Sequence, residues 1–475
     1  MELSPVVDAL VTAFEEQKPV AKEGTHPTVS GTVSLLAVLY EKARNAVEFR
    51  AEHLVRRAAI ERILKRRIML NGGSASVAEN LILELLWAKY IDSSLVDDAK
   101  IADIQATIDR YLTLKHKAFT SSDRAGGISW DTIMGIASSE IEEMLVPAKK
   151  REALTNFFYQ AIRPKINLAA ADERLVNTQT YIAIERAYNQ SDDALIIFHL
   201  LKMIQPEWLA SDAPSVPDMA PAFLQNLAFI ETSLRHPIGE PLSRFVKKHT
   251  PPFLLLRDFF LDAGDKARVV LENHETFEAR LAELANIRYQ QIRAKVRRAM
   301  VRSIIYIFLT KMVFALALEA PFDIWITKKI AYLSLAINTL FPPVLLFLVA
   351  GFTSLPGADN TRRLIDRITK IVLHFEDLAS EKEVFTPSPH VKRPILTAIF
   401  SLFYLVTFLI SFGLISFILT RLHFNIASQI IFVFFITLVS FFAYRISASA
   451  KEYEMVEHQG FFSPVMDFFF LPILR

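Results

Sequence analysis

Lys311 stands inside an apolar run, Ser303–Ala320, where an ammonium group meets no water. A lysine at the centre of a bilayer costs roughly 2.5–3.5 kcal/mol to insert, and such residues turn toward partners inside a helix bundle. Lys311 lies nine residues past Arg302, hence ~13 Å deeper along a helix. The next apolar run, Ile330–Phe352, offers acceptors at similar depth if the two runs fold back on each other. Each proline of the pair Pro342-Pro343 removes an N–H that would have bonded four residues back, which frees the carbonyls of Asn338 and Thr339. Lys311, Asn338, Thr339, Pro342 and Pro343 are therefore the candidate intramembrane polar contact. Two chemistries fit it: a lysine that caps a broken helix, or a substrate or ion site. Glu319 falls near the outer end of its run and reads as a hydrated side chain.

Catalytic chemistry has little to build on. No Walker pattern, GxGxxG, GxSxG or HExxH occurs. The absence of cysteine excludes disulfides, thiolate metal sites and cysteine nucleophiles. Histidine approaches carboxylates at Glu48/Glu52/His53 and at His274/Glu275/Glu278, but adjacent residues point to different helix faces. Each cluster also lacks the second helix of a di-metal bundle. The expectation is a non-enzymatic protein with no metal and no cofactor.

Basic residues suggest binding instead. The run Arg56, Arg57, Arg62, Lys65, Arg66 and Arg67 wraps around its helix with no aromatic interleaved, so it predicts docking on an acidic protein face, not nucleic acid. Residues 1–286 carry 33 Lys/Arg against 39 Asp/Glu, while Ile287–Arg302 is basic without a single acid. Arg293, Lys295, Arg297, Arg298 and Arg302 precede the first apolar run and are expected on anionic lipid head groups on the cytoplasmic side. Arg362, Arg363 and Arg367 join them from an amphipathic helix over Arg362–Glu383, whose apolar face Leu364, Ile368, Ile371, Val372, Phe375 and Leu378 suits lipid or the rest of the chain equally.

The elements that must position these residues are helices. Four apolar runs, Ser303–Ala320, Ile330–Phe352, Pro394–Leu419 and Ile426–Tyr444, meet or approach the roughly 20 residues that cross a bilayer. Basic links alternate with short ones, which predicts two hairpins with both termini cytoplasmic; Met1–Asp8 has no signal-peptide features. Before the first run the spacing predicts helices over Thr32–Leu70, Val77–Ile91, Asp97–Lys117, Trp130–Leu145, Lys149–Ile162, Glu173–Asn189, Asp192–Ile204 and Pro221–Leu234, with Ser191 as a cap. Loops are expected at breaker-rich stretches such as Ser121–Ser129 and His236–Pro252. One long helix is expected from Asp265 into the first run.

The reading is an all-α chain: a large soluble helical N-terminal domain plus four transmembrane helices in two hairpins. Its parts are helical subdomains at 1–125 and 126–264, a basic stalk at 265–302, hairpin one at 303–352, a cytoplasmic linker at 353–393, hairpin two at 394–444 and a tail at 445–475. Expected function is a membrane-anchored cytoplasmic scaffold or adaptor with a cytosolic protein partner. The alternative is a subunit of a homo-oligomeric transporter, channel or insertase using Lys311 and the proline-broken second span. Spans three and four offer only hydroxyls and Gln429, which favours the anchor.

Overall fold

The computed structural model describes residues 3–15, 52–71, 77–119, 124–125, 127–168, 172–328, 332–351, 356–380, 383–387 and 394–455. These residues are overwhelmingly helical. Their strand content is one antiparallel ladder two residues long, Arg124–Ala125 with Ile128–Ser129, and a single bridge between Ile166 and Phe385. Gly127 turns the ladder at a φ of 88°, a conformation glycine adopts without steric cost. Two compact units are distinguished: Met1–Thr250 with Ala263–Val269 and Lys370–Pro387, and Pro251–Asp262 with Val270–Thr369 and Ser388–Arg475.

The first unit holds α1 (Pro5–Glu15), α2 (Glu52–Asn71), α3 (Val77–Trp87), α4 (Asp98–Ala118), α5 (Trp130–Leu145), α6 (Lys149–Ile162), α7 (Glu173–Ile184), α8 (Asp193–Ile204) and α9 (Val216–Leu234). Helix α5 is buried on almost every side, polar residues included, because α2, α4 and α8 pack around it. One hydrophobic core runs through Ile60, Leu81, Ile104, Ile133, Ile196 and Phe223 and so joins residues before Arg124 to residues after Ser129. Burying each such side chain contributes about 1.5–3 kcal/mol. The basic face of α2 meets acids of the same chain. Arg56 reaches Glu142 at 2.7 Å, Arg57 reaches Asp192 at 2.5 Å, Lys65 reaches Asp131 at 2.7 Å and Arg67 reaches Glu84 at 2.5 Å. Asp192, not Ser191, caps α8, accepting from the Leu195 N–H at 3.1 Å. Ser191 is turned back to Glu185, so the cap falls to the next acid. The part of the predicted helix Thr32–Leu70 before Glu52 lies outside the described residues.

Two expectations about breakers fail here. Most of His236–Pro252 is helix, the first half of α10 (Gly239–Ala263), with Pro251 and Pro252 inside it. Proline removes N–H donors but tolerates helical φ, so the helix continues and only the Lys247 and Lys248 carbonyls forgo their usual donors. The stalk does not start at Asp265. Gly264, at a φ of 55°, and a short α11 (Ala267–Glu272) interrupt it, and Asn273 caps a fresh helix by accepting from the Thr276 N–H at 3.1 Å.

That helix, α12 (His274–Phe314), is 41 residues long, or ~60 Å. It passes through a π turn at Ala315–Glu319 into α13 (Ala320–Thr327). The second unit adds α14 (Tyr332–Gly351), α15 (Ala358–Leu373), α16 (Pro394–Arg421) and α17 (Ile426–Ala450). Among the described residues three helices are long and apolar enough to cross a membrane, His274–Phe322, Ala398–Arg421 and Ile426–Ala450, where four were expected. The shortfall is the second run. Its described apolar helix, Tyr332–Leu348, comes to ~25 Å against a hydrocarbon core of about 30 Å.

Helices α12, α14 and α17 pack around Ile307, Leu346, Phe435, Val439 and Ile446. Helix α16 meets α17 near their shared turn, through Leu419, Phe424 and Phe432 and a 2.7 Å bond from Ser416 to Gln429. Helix α15 ends at Leu373, ten residues short of the predicted Glu383. Its Leu364, Ile368, Ile371 and Val372 are buried in the protein, so that apolar face is not left for lipid. The predicted tail feature, Gly460–Arg475, lies outside the described residues.

Candidate functional site

Of the candidate intramembrane residues, Lys311 and Asn338 meet at a residue that sequence reasoning set aside, and not at the carbonyls freed by the prolines. Lys311 is fully buried and donates to Glu319, itself 1% exposed, so Glu319 is not a hydrated surface group. Asn338 donates to the other oxygen of that carboxylate at 2.5 Å and lies 3.4 Å from the Ser428 carbonyl on α17. The ammonium also sits 4.8 Å from the centre of the Phe435 ring, close enough for a cation–π contribution. The Asn338 orientation follows from charge: turning the amide over would aim Oδ1 at the carboxylate. Thr339 is half-buried, and Pro342 and Pro343 are buried one turn further along α14.

The π turn explains why the pair forms. Eight residues of straight α-helix place Glu319 about 80° around from Lys311. A π turn accommodates one extra residue, which takes back about 100°. The two side chains then share a face, and the carboxylate turns inward to the lysine. Apolar runs are read by composition, and composition does not register a one-residue slip in helical phase.

The residues expected at lipid head groups are all placed on α12 and α15. Arg293, Lys295, Arg297, Arg298, Arg302, Arg362 and Arg363 are exposed, and Arg367 is half-buried. The base of α12 carries a tighter polar set. Asp258 is 3% exposed and takes two bonds from Arg288, at 2.6 and 2.7 Å, and one from the Tyr453 hydroxyl at 2.7 Å. Asn360 donates to the Tyr289 hydroxyl and to the Tyr453 carbonyl, at 2.9 and 2.8 Å. The start of α15, α12 and the segment after α17 are thereby tied together. Burial, and then the Asp258 charge, hold Tyr453 well above the ordinary phenol range.

A second charged cluster, missed in the sequence, lies in the first unit. His199 on α8 sits between Glu185 at 3.1 Å from Nδ1 and Glu143 at 2.7 Å from Nε2. Lys202, one turn on, donates to Glu143 at 3.1 Å and to Glu152 at 2.5 Å. Burial alone would lower the His199 pKa, but the two carboxylates outweigh it and raise it to about 9, so the ring is an imidazolium donating from both nitrogens. Burial would raise Glu143; His199 and Lys202 bring it down to about 2 instead. His53 is the opposite case, pushed down to about 4 by burial and by Arg151 and Arg56. Glu185 stands at the start of a second π turn, Glu185–Asn189, where Ser191 donates to it at 2.5 Å. No sequence signal names this cluster, because its members come from α5, α6, α8 and the turn after α7. Only the i, i+3 spacing of His199 and Lys202 was visible.

The cluster floors one end of a cleft of about 860 Å³ between α6, α7 and α8. Fixed charges held this firmly can orient a ligand, whereas His199 has both N–H groups engaged and none left for proton transfer. No protein-family model, curated protein or solved structure matches the chain.

Proposed function

We propose that this chain is an integral membrane protein that anchors a helical cytoplasmic unit and presents it to a cytosolic protein partner, without catalysing a reaction. The observation that carries this reading is the pairing of Lys311. Its ammonium is fully buried and answered by Glu319, with Asn338 on the same carboxylate. A charge neutralised inside a packed helix trio supports a structural anchor more than a conduction path, which needs polar groups turned to water.

In this reading α14 crosses the membrane with the three longer helices, its twenty residues coming to ~30 Å. Two hairpins then leave both termini in the cytoplasm, and the arginines of α12 and α15 rest on anionic head groups. The test is purification in mild detergent of the wild type and of a variant carrying Lys311→Met and Glu319→Leu together. The variant is expected to insert and to retain the same co-purifying protein. Loss of partner from a folded variant, or solute flux through wild-type protein in vesicles that the variant abolishes, overturns the anchor reading.

A further inference from the structure

The cleft between α6, α7 and α8 has a lining whose hydrogen-bonding capacity is spent unevenly. Two of its three cations are matched by carboxylates. His199 is held by Glu143 and Glu185, and Lys202 by Glu143 and Glu152. The Arg174 guanidinium lies 4.3 Å from the centre of the Phe229 ring and donates to Asn226. The acceptors are not exhausted. Lys202 uses Oε1 of Glu152 and leaves Oε2 without a partner among the described residues. Glu173 is exposed and has no hydrogen-bond or ion-pair partner among them.

Two helical turns of α6 set these two carboxylates apart along the cleft. Glu152 begins α6, and Glu173 lies beside Tyr159, whose hydroxyl feels its charge. Glu152 and Tyr159 are seven residues apart, two helical turns or ~10 Å. Between these carboxylates the wall is apolar and aromatic: Leu200 and Met203 from α8, Tyr159 from α6 and Tyr181 from α7. Tyrosine faces attract ammonium groups, and a mostly apolar cavity with a few convergent polar groups is the form that small-molecule sites take.

We propose that this cleft binds an organic dication, an apolar chain with a protonated amine at each end. One ammonium meets Glu152 Oε2 beside Tyr181; the other meets Glu173 beside Tyr159; the methylenes lie on Leu200 and Met203. An anionic ligand would meet only Arg174 without a carboxylate partner, and a neutral one would leave both carboxylates unused. The site is independent of the anchoring role.

Diaminooctane, octylamine and octanedioate are the probes, titrated calorimetrically into the detergent-solubilised full chain at neutral pH, with heats into empty micelles subtracted. Diaminooctane is expected to saturate at one equivalent, octylamine to bind roughly tenfold more weakly, and octanedioate to give no site. Glu173→Gln, an exposed and nearly isosteric change, should weaken diaminooctane roughly tenfold and leave thermal unfolding unmoved. The proposal is overturned if diaminooctane gives no saturable heat with folded wild-type protein, if octanedioate binds more tightly, or if Glu173→Gln binds diaminooctane like the wild type.

Discussion

Two buried charged residues, His199 and Lys311, set the energetics at the scale of single side chains, and each makes a separable prediction. The His199 pKa is raised to about 9 from an ordinary 6.5, so folding stabilises its proton. That contribution is complete below about pH 6.5, declines as pH rises through about 9, and amounts at most to something on the order of 3 kcal/mol. Glu143, lowered to about 2, contributes above its ordinary range and is lost as pH falls through that value. His53 acts in the same direction as Glu143 on the acid side, since its folded pKa of about 4 means that stability drops as pH falls from 6.5. Thermal unfolding of the wild type should therefore weaken above pH 8. His199→Gln should flatten that alkaline limb; an unchanged limb would show that the imidazolium does not matter there. Lys311 differs because no water can replace its partner. Lys311→Met alone leaves the Glu319 carboxylate buried and should cost about 3–5 kcal/mol, while adding Glu319→Leu should recover most of it. Equal unfolding temperatures for single and double variants would remove the ion pair from the account. Of this chemistry, Lys311 and Asn338 were legible because polar groups in apolar runs are conspicuous. His199 was not, since a histidine in a periodic helix looks the same whether its neighbours in space are leucines or glutamates.

The departures between sequence pattern and structure at the scale of elements concentrate at helix irregularities. Trp130–Leu145 and Lys149–Ile162 begin and end where pattern and breakers place them, because periodicity, termination and burial agree there. Pro251-Pro252 misled in the other direction: a proline pair reads as a loop, yet α10 continues through it. The π turns are silent in sequence and carry the buried glutamates of both polar clusters, Glu185 and Glu319. This predicts a particular deletion effect. Ala317 is exposed within the Ala315–Glu319 π turn, so removing it discards no core side chain. The deletion should convert the turn to α-helix and leave the glutamate seven residues after Lys311, about 20° around and still on its face. It should then destabilise far less than Lys311→Met, and adding Lys311→Met to the deletion should still cost about 3–5 kcal/mol. A deletion as costly as Lys311→Met, with little further loss on combining the two, would mean that helical phase does not deliver Glu319 to the lysine.

For the whole molecule, the helical class and membrane association follow from apolar runs and the scarcity of period-two patterns, whereas span number does not follow from hydropathy alone. Helix α14 is the ambiguous element. Its described apolar length falls short of a bilayer, yet it packs with α12 and α17 and donates Asn338 to the central carboxylate. A helix lying in the interface would keep a polar face toward water, but Asn338 and Ser334 of α14 are both buried. Interior packing therefore favours a crossing, helped by local thinning of the bilayer at a cost of a fraction of a kcal/mol per Å. The chain has no cysteine, so single cysteines report topology without background. Introduced at Lys329 and at Asn425, they should react with a membrane-impermeant maleimide from outside intact cells. Cysteines at Glu272 and at Lys451 should react only after permeabilisation. If α14 does not cross, the four positions cannot behave this way: Lys329 and the start of α16 would share one side, and Asn425 would lie opposite Lys329. Labelling of Lys329→Cys from outside with protection of Asn425→Cys would therefore establish three crossings and move the C-terminus out of the cytoplasm.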